Sequence, residues 1–315
     1  MLDAKFAAMK SGSGLPSEDG KAPLLAAIVI NYRLPDWTRR CVESLSAPVA
    51  KVYVVDNSAQ PESAHHLALS LIHLPREAAP VQVFGSPSNL GFASGIQFGI
   101  DHALAERSWD GFFIINNDAI VQPTLLRRMV ETWESEPGPV LVAPARDDRG
   151  QPLRLWYHRV LGIVLEHPWW GTVPYLSGTC LLVPTRLASP RLFDPLFFIY
   201  GEDVELGWRL GQAGVPLLTV SAQAGEFRHA ANRSTGNGSL FYEYHMNRAH
   251  LLLGRKLSRP GWDRVSLAMG RACMLPARAL VRSVRGGGWV PWRGLLRALR
   301  EDPPPPPGDE MEARR

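Results

Sequence analysis

Apolar runs that end in polar tips recur through the first part of the chain. Leu24–Ile30 leads into Asn31-Tyr32, and Lys51-Val-Tyr-Val-Val55 leads into Asp56-Asn57. Each run predicts a buried parallel strand, because a strand covered on both faces reads as a continuous apolar stretch. Trp37–Leu45 between them has helical spacing, which gives the strand, helix, strand order of a right-handed crossover. A third strand is predicted at Val81–Phe84, followed by Asn89-Leu-Gly-Phe-Ala-Ser-Gly95 and a helix through Ala105. The fourth, Gly111–Ile115, ends in Asn116-Asn117-Asp118. Four polar tips would collect along the carboxyl edge of one sheet, where open α/β sheets bind ligands, so that edge is the predicted nucleotide site. Farther on, Tyr175–Val183 reads as one strand and Asp203–Ala213 as a helix stopped by Gly214.

Outside this pattern the chain changes character. Residues 1–23 are small and polar without the order of a secretory signal, and read as a flexible tail. The proline run 303–307 has acidic flanks, so 301–315 reads as a disordered acidic tail. The chain has 315 residues, 45% hydrophobic and 20% charged, enough for a sizeable core in one large domain or two small ones. Cys41, Cys180 and Cys273 are widely spaced and form no CxxC pair, which indicates neither a disulfide framework nor a zinc site and fits a reducing cytoplasm. No apolar run reaches the roughly 18 residues needed to span a bilayer. The best candidate, Val265–Val284, is broken by Arg271, Pro276, Arg278 and Arg282.

Charge is unevenly spread. The net charge is +4, yet residues 255–300 alone carry 11 Lys and Arg against 1 acid. Arg271, Arg278, Arg282 and Arg285, then Arg293, Arg297 and Arg300, would line a helix beside an apolar face that includes Leu267, Leu275, Leu280, Trp289 and Leu295. That is the pattern of an interfacial helix on anionic lipid, and equally of a core-packing helix with a solvated basic face. On the first reading, 256–300 is a membrane-associating segment whose removal leaves a folded protein.

The chemistry-bearing stretches are Ile28-Val-Ile-Asn-Tyr32, Val54-Val-Asp-Asn57, Asn89-Leu-Gly-Phe-Ala93, Asn116-Asn-Asp118, Ser177-Gly-Thr-Cys180, Phe197–Leu206 with its Gly201-Glu-Asp-Val-Glu205, and His229. In this order they resemble a family 2 glycosyltransferase of the GT-A fold, and in particular the bacterial rhamnosyltransferase branch. The resemblance covers roughly 24–255 and implies a Rossmann-like, mostly parallel sheet flanked by helices, with a C-terminal helical extension. It implies an inverting transfer of a sugar, L-rhamnose being the leading choice, from a dTDP- or UDP-linked donor to a glycan or lipid-linked acceptor.

The same resemblance distributes the roles. Asp56 accepts the N3–H of a uracil or thymine ring, with Asn31 and Tyr32 beside the base; capping of the next helix is the competing reading for Asp56. Asn89 and Gly91 stand where a helix N-terminus meets the diphosphate. Asn117 and Asp118 occupy the DxD position, where only Asp118 is anionic, and His229 joins it to hold Mg²⁺ or Mn²⁺. Asp203 is the base that takes the acceptor's proton, with Glu202 as its neighbour; acids at a helix N-terminus also simply favour the helix dipole. Ser177–Cys180 would leave room for a pyranose. Trp169 and Trp170 read as sugar platforms or as core, and Arg233, Tyr242 and Arg248 as phosphate contacts. The implied location is the cytoplasmic face of the cell membrane, with the protein peripheral on anionic lipid.

Two other classes compete. Sugar nucleotidyltransferases use a related sheet but carry a glycine-rich basic loop after the first strand, which Asn31-Tyr-Arg-Leu-Pro35 does not supply. A nucleic-acid-binding protein would suit the basic stretch, but no recognisable module is present and the stretch is rich in apolar residues, so nucleic acid is not an expected partner.

Overall fold

The computed structural model describes residues 22–230 and 238–301. The expected tails at 1–23 and 301–315 fall almost wholly outside the described residues, and Arg233 lies outside them too. The first half alternates strand and helix: β1 (Leu25–Asn31), α1 (Pro35–Glu43), β2 (Val49–Asp56), α2 (Pro61–Ser70), β3 (Val81–Gly85), α3 (Gly91–Glu106) and β4 (Gly111–Asn116). Then come β5 (Ala119–Val121), α4 (Pro123–Glu134), β6 (Leu141–Pro144), β7 (Arg154–His158), β8 (Val164–Leu165), β9 (Thr172–Leu176), β10 (Cys180–Pro184) and α5 (Thr185–Ala188). The remainder is α6 (Glu202–Gln212), β11 (Leu217–Val220), β12 (Phe227–His229), α7 (Leu240–Lys256), α8 (Trp262–Arg282) and α9 (Val290–Arg300).

Seven strands form the central sheet in the order β11-β6-β10-β4-β1-β2-β3. All neighbours are parallel except β10, which runs antiparallel to β4 and β6. The alternation within β1 explains the two-faced core. Leu25, Ala27 and Val29 pack on one side with Cys41, Leu45, Leu125 and Met129, whereas Ala26 and Ile28 face Ile96, Ile100, Leu206 and Leu210 on the other. Register places the strand tips side by side, as the sequence predicts: Asn31 opposite Asp56, Asp56 opposite Gly85, and Ile30 opposite Asn116.

Two expectations need correction. Tyr175–Val183 is two strands, since β9 belongs to a three-stranded sheet β8-β7-β9 and β10 to the central one. Ser177-Gly-Thr179 is the turn between them, and it reaches the ligand edge because Cys180 starts antiparallel to the end of β4, with Asn116 N–H donating to Thr179 O at 3.0 Å.

The second correction concerns the basic stripe. Arg271 is 4% exposed and donates to the carbonyls of His250 and Val160 and to the Tyr157 hydroxyl. Arg278 and Arg282 both pair with Glu243, whose side chain is fully buried on α7. These three arginines therefore point inward, and helix α9 packs tightly on α7: a Cβ on Gly294 would lie 2.4 Å from Glu243 Cβ. The outer side of the helices keeps Arg264, Arg285, Arg293 and Arg300 beside exposed Trp262, Met269, Leu280, Val284 and Trp289.

Candidate active site

The polar tips open on a cleft with a cavity volume of about 270 Å³. It brings together Tyr32, Asn89, Gly91, Asn117, Asp118, Ser177–Thr179, Glu202, Asp203 and His229, with Phe92, Phe198 and Phe241 as aromatic wall.

The backbone that shapes this wall is tightly constrained. Gly91 has φ +72, and a Cβ there would lie 2.2 Å from the carbonyl oxygen of Phe198, to which Phe92 N–H donates. That close approach locks the start of α3 against residues 197–200. Tyr200 and Gly201 are both left-handed, with φ +70 and +86. The Tyr200 conformation costs roughly 1–2 kcal/mol and turns the chain so that α6 begins inside the cleft.

Glu202 and Asp203, the first residues of α6, both line the cleft, whereas Glu205 turns away to pair with Arg209 at 3.3 Å. The sequence-level idea of Glu202 and Glu205 sharing a face does not describe the site. Asp203 Oδ1 accepts the Val204 N–H at 2.8 Å, and the Gly178 backbone N–H also faces the carboxylate. Glu202 Oε2 is buried without a partner. Burial raises the pKa of both carboxyls. The charge of Asp203 pushes Glu202 further up, and backbone N–H groups hold Asp203 lower. The backbone N–H groups therefore favour ionisation of Asp203, while burial and the neighbouring charge favour the protonated form of Glu202.

Asp118 and His229 meet because β12 pairs with β5, setting His229 opposite Ala119. His229 Nε2 lies 3.2 Å from Asp118 Oδ1 and 3.5 Å from Asn116 Nδ2. Adjacent ligands on an octahedral Mg²⁺ or Mn²⁺ at 2.0–2.1 Å are about 3 Å apart, so this pair fits two positions on one cation. Among the described residues no three His, Cys, Asp or Glu groups converge. A cation here would complete its shell with donor phosphate oxygens and water.

Asn31 and Asp56 do not line the cavity. Each is 1% exposed and sits one residue from a lining position. Asp56 Oδ1 accepts from Asn31 Nδ2 at 2.9 Å and from Ser58 Oγ at 2.7 Å, while Oδ2 is buried with no partner. Asn57 organises the next loop, accepting Leu90 N–H at 2.8 Å and donating to Asn89 Oδ1 and the Gly91 carbonyl. Thr38 was not legible as a site residue. Its hydroxyl donates to Asn31 at 2.8 Å and accepts from Asn117 at 3.0 Å, tying the β1 tip to the Asn116-Asn-Asp118 turn. Ser58 and Phe241 were missed for the same reason, since each sits in an ordinary loop or helix pattern.

Trp169 and Trp170 are 61% and 80% exposed and lie outside the cleft beside His158, so they are not core. Tyr242 and Arg248 also lie outside it: Arg248 pairs with Glu301, and Tyr242 takes Arg278 and Arg282 on its ring.

A parallel sheet with an inserted antiparallel strand, carrying two buried acids and an Asp–His pair at its carboxyl edge, is the arrangement of a GT-A-type glycosyltransferase. The chain belongs to glycosyl transferase family 2, whose family model matches residues 26–188. It is 28% identical over 239 residues to N-acetylglucosaminyl-diphospho-decaprenol L-rhamnosyltransferase of Mycobacterium tuberculosis, an alignment covering 64% of this chain and 76% of the relative. Its fold is similar to that of a mannosyltransferase from Pyrobaculum calidifontis, solved with GDP-Man and Mn2+, at TM-score 0.52 and 13% identity over 99% of this chain and 86% of that one. It is also similar to S. aureus TarS, at TM-score 0.50 and 11% identity over 77% of this chain and 41% of that one. The protein is a glycosyltransferase. The family match ends before Glu202, Asp203 and His229, so their grouping rests on the geometry above.

Proposed function

We propose that the protein is an inverting, metal-assisted glycosyltransferase moving L-rhamnose from a dTDP- or UDP-linked donor to a lipid-linked acceptor at an anionic membrane surface. The observation that carries this reading is the single cleft that brings Asp203, held by backbone N–H groups, together with the Asp118–His229 pair. The relative's printed name supplies the sugar and the acceptor class. The outer side of α8 and α9 supports membrane contact, since exposed Trp262 and Trp289 stand among arginines there.

In this mechanism Asp203 takes the proton of the acceptor hydroxyl as its oxygen attacks the sugar C1, and the C1–O bond to the diphosphate breaks with its electron pair leaving on the nucleotide. Glu202, protonated, donates a hydrogen bond within the site. Asp118 and His229 would hold Mg²⁺ or Mn²⁺, which supplies positive charge against the leaving diphosphate. The unpartnered Asp56 Oδ2 suits a pyrimidine N3–H, and lies beneath the surface, so the base reaches it only when the neighbouring chain gives way.

Thermal unfolding with UDP-, dTDP- and GDP-sugars, each with and without Mn²⁺, tests the reading, because a ligand that binds only the folded state raises its stability. The expected result is metal-dependent stabilisation by a pyrimidine donor that disappears in Asp118→Ala. Preference for GDP-sugars would overturn the pyrimidine assignment, and equal stabilisation without metal would overturn the metal role.

A further inference from the structure

A second, larger hollow lies away from the cleft, between α7, α8 and α9, with a volume of about 750 Å³. It is open to solvent on one side, with Ala268, Ala272 and Leu299 exposed along it. Gly254, Ala268 and Ala272 face it with almost no side chain, and Pro276 interrupts the hydrogen-bond ladder of α8 on the same wall. Leu251, Leu275 and Leu295 supply apolar surface, while Arg255 and Arg264 stand exposed at the rim.

One face of α7 borders the cleft, a smaller groove and this hollow in turn. Phe241 lines the cleft, Tyr244 and Arg248 line a smaller groove shared with Phe198 and Tyr200, and Leu251 and Arg255 line the large hollow. Spacings of three and four keep these positions on one helix face, and the run from Phe241 to Arg255 spans about 21 Å. Phe198–Tyr200 border both the cleft and the middle groove, so the two share a wall. Glu301 is an acid beside this track, paired with Arg248 at 2.8 Å.

We propose that this hollow holds the isoprenoid tail of the lipid-linked acceptor, with Arg255 and Arg264 facing its phosphate groups and α7 aligning tail and reacting sugar. The proposal rests on the lipid-linked acceptor reading above. Its occupant follows from the apolar wall, the cationic rim and the alignment of both sites on one face of α7.

The test fills the hollow from its solvent side. Ala272→Trp and Ala268→Phe change exposed residues, so at least one is expected to keep the wild-type melting temperature. Each folded variant is assayed by flotation with phosphatidylcholine vesicles containing either decaprenyl phosphate or phosphatidylglycerol at equal charge. Capture by decaprenyl phosphate vesicles should weaken about tenfold or more while capture by phosphatidylglycerol vesicles stays unchanged. No change with either vesicle, or an equal loss with both, overturns the tail site. The acceptor reading is judged separately, by wild-type transfer to a polyprenyl-diphosphate-linked sugar. If decaprenyl phosphate capture is lost only in the filled variants but wild type transfers nothing, the hollow stands and the acceptor assignment falls.

Discussion

Asp56 shows how a single carboxylate is prepared for a ligand. One oxygen is committed to Asn31 and Ser58, and the other has no partner. Asp56→Asn cannot serve both sides, since an amide that keeps its oxygen toward Asn31 presents N–H to the base. A lost hydrogen bond to a charged group is worth about 1.5–3 kcal/mol, so calorimetry should show roughly 10- to 150-fold weaker binding of UDP or dTDP. The pair Glu202 and Asp203 gives a pH prediction. Burial raises Asp203, so the acid limb of turnover should lie above the ordinary aspartate value of about 4. Asp203→Asn should bind donor but lose about 10²–10⁴-fold in turnover. If Glu202→Gln loses turnover instead while Asp203→Asn stays active, the base is Glu202. Stability follows the same shifts. A folded-state pKa raised for Glu202 means its stabilising proton is fully present below the unfolded value and lost as pH rises through the folded one. Glu202→Gln should therefore melt higher than wild type at alkaline pH and equally at acid pH, which a calorimetric pH series would read.

At the scale of elements, the cleft depends on how α3 and α6 begin. The start of α3 needs a residue without Cβ at φ +72, pressed on the Phe198 carbonyl. Gly91→Ala should both strain the backbone and push the 197–200 segment outward. The expected outcome is a lower melting temperature together with weaker donor binding, and an unchanged melting temperature would show that the contact does not hold the two segments. The motif Asn89-Leu-Gly-Phe was readable in the sequence, but its partner Phe198 was not, because the two are far apart in the chain and meet only through a backbone carbonyl. Thr38 makes the same point. It lies in a helix whose pattern is ordinary, and its role as a link between Asn31 and Asn117 exists only where the strand tips converge.

For the whole molecule, the C-terminal helices belong to the folded body. Glu243 is fully buried and neutralised by Arg278 and Arg282 from α8. Breaking a buried ion pair typically costs about 3–5 kcal/mol, because the remaining charge is left uncompensated. The double variant Arg278→Ala, Arg282→Ala should therefore lower the melting temperature sharply, and Glu243→Gln in the same background should restore part of it. For the same reason a chain cut after residue 255 is expected to unfold or aggregate, contrary to the sequence expectation of a dispensable segment. Circular dichroism of the truncated chain checks this, and a native spectrum with cooperative melting would refute it.

The parallel strands, their polar tips and the family were all legible along the chain. Strand burial is written locally in runs such as Ala26–Ile30, and a strand that ends in polar residues delivers them to one edge whatever else the chain does. The resemblance also singled out Asp118, His229, Glu202 and Asp203 as candidates. Which of them face one another depends on contacts between distant segments, since His229 reaches Asp118 through the pairing of β12 with β5. Such contacts likewise decide which arginines are buried: a helix with two apolar sides and interspersed arginines does not say which side meets protein. The side against α7 was chosen by Glu243, a charge on another helix whose burial is tolerable only when arginines come to it.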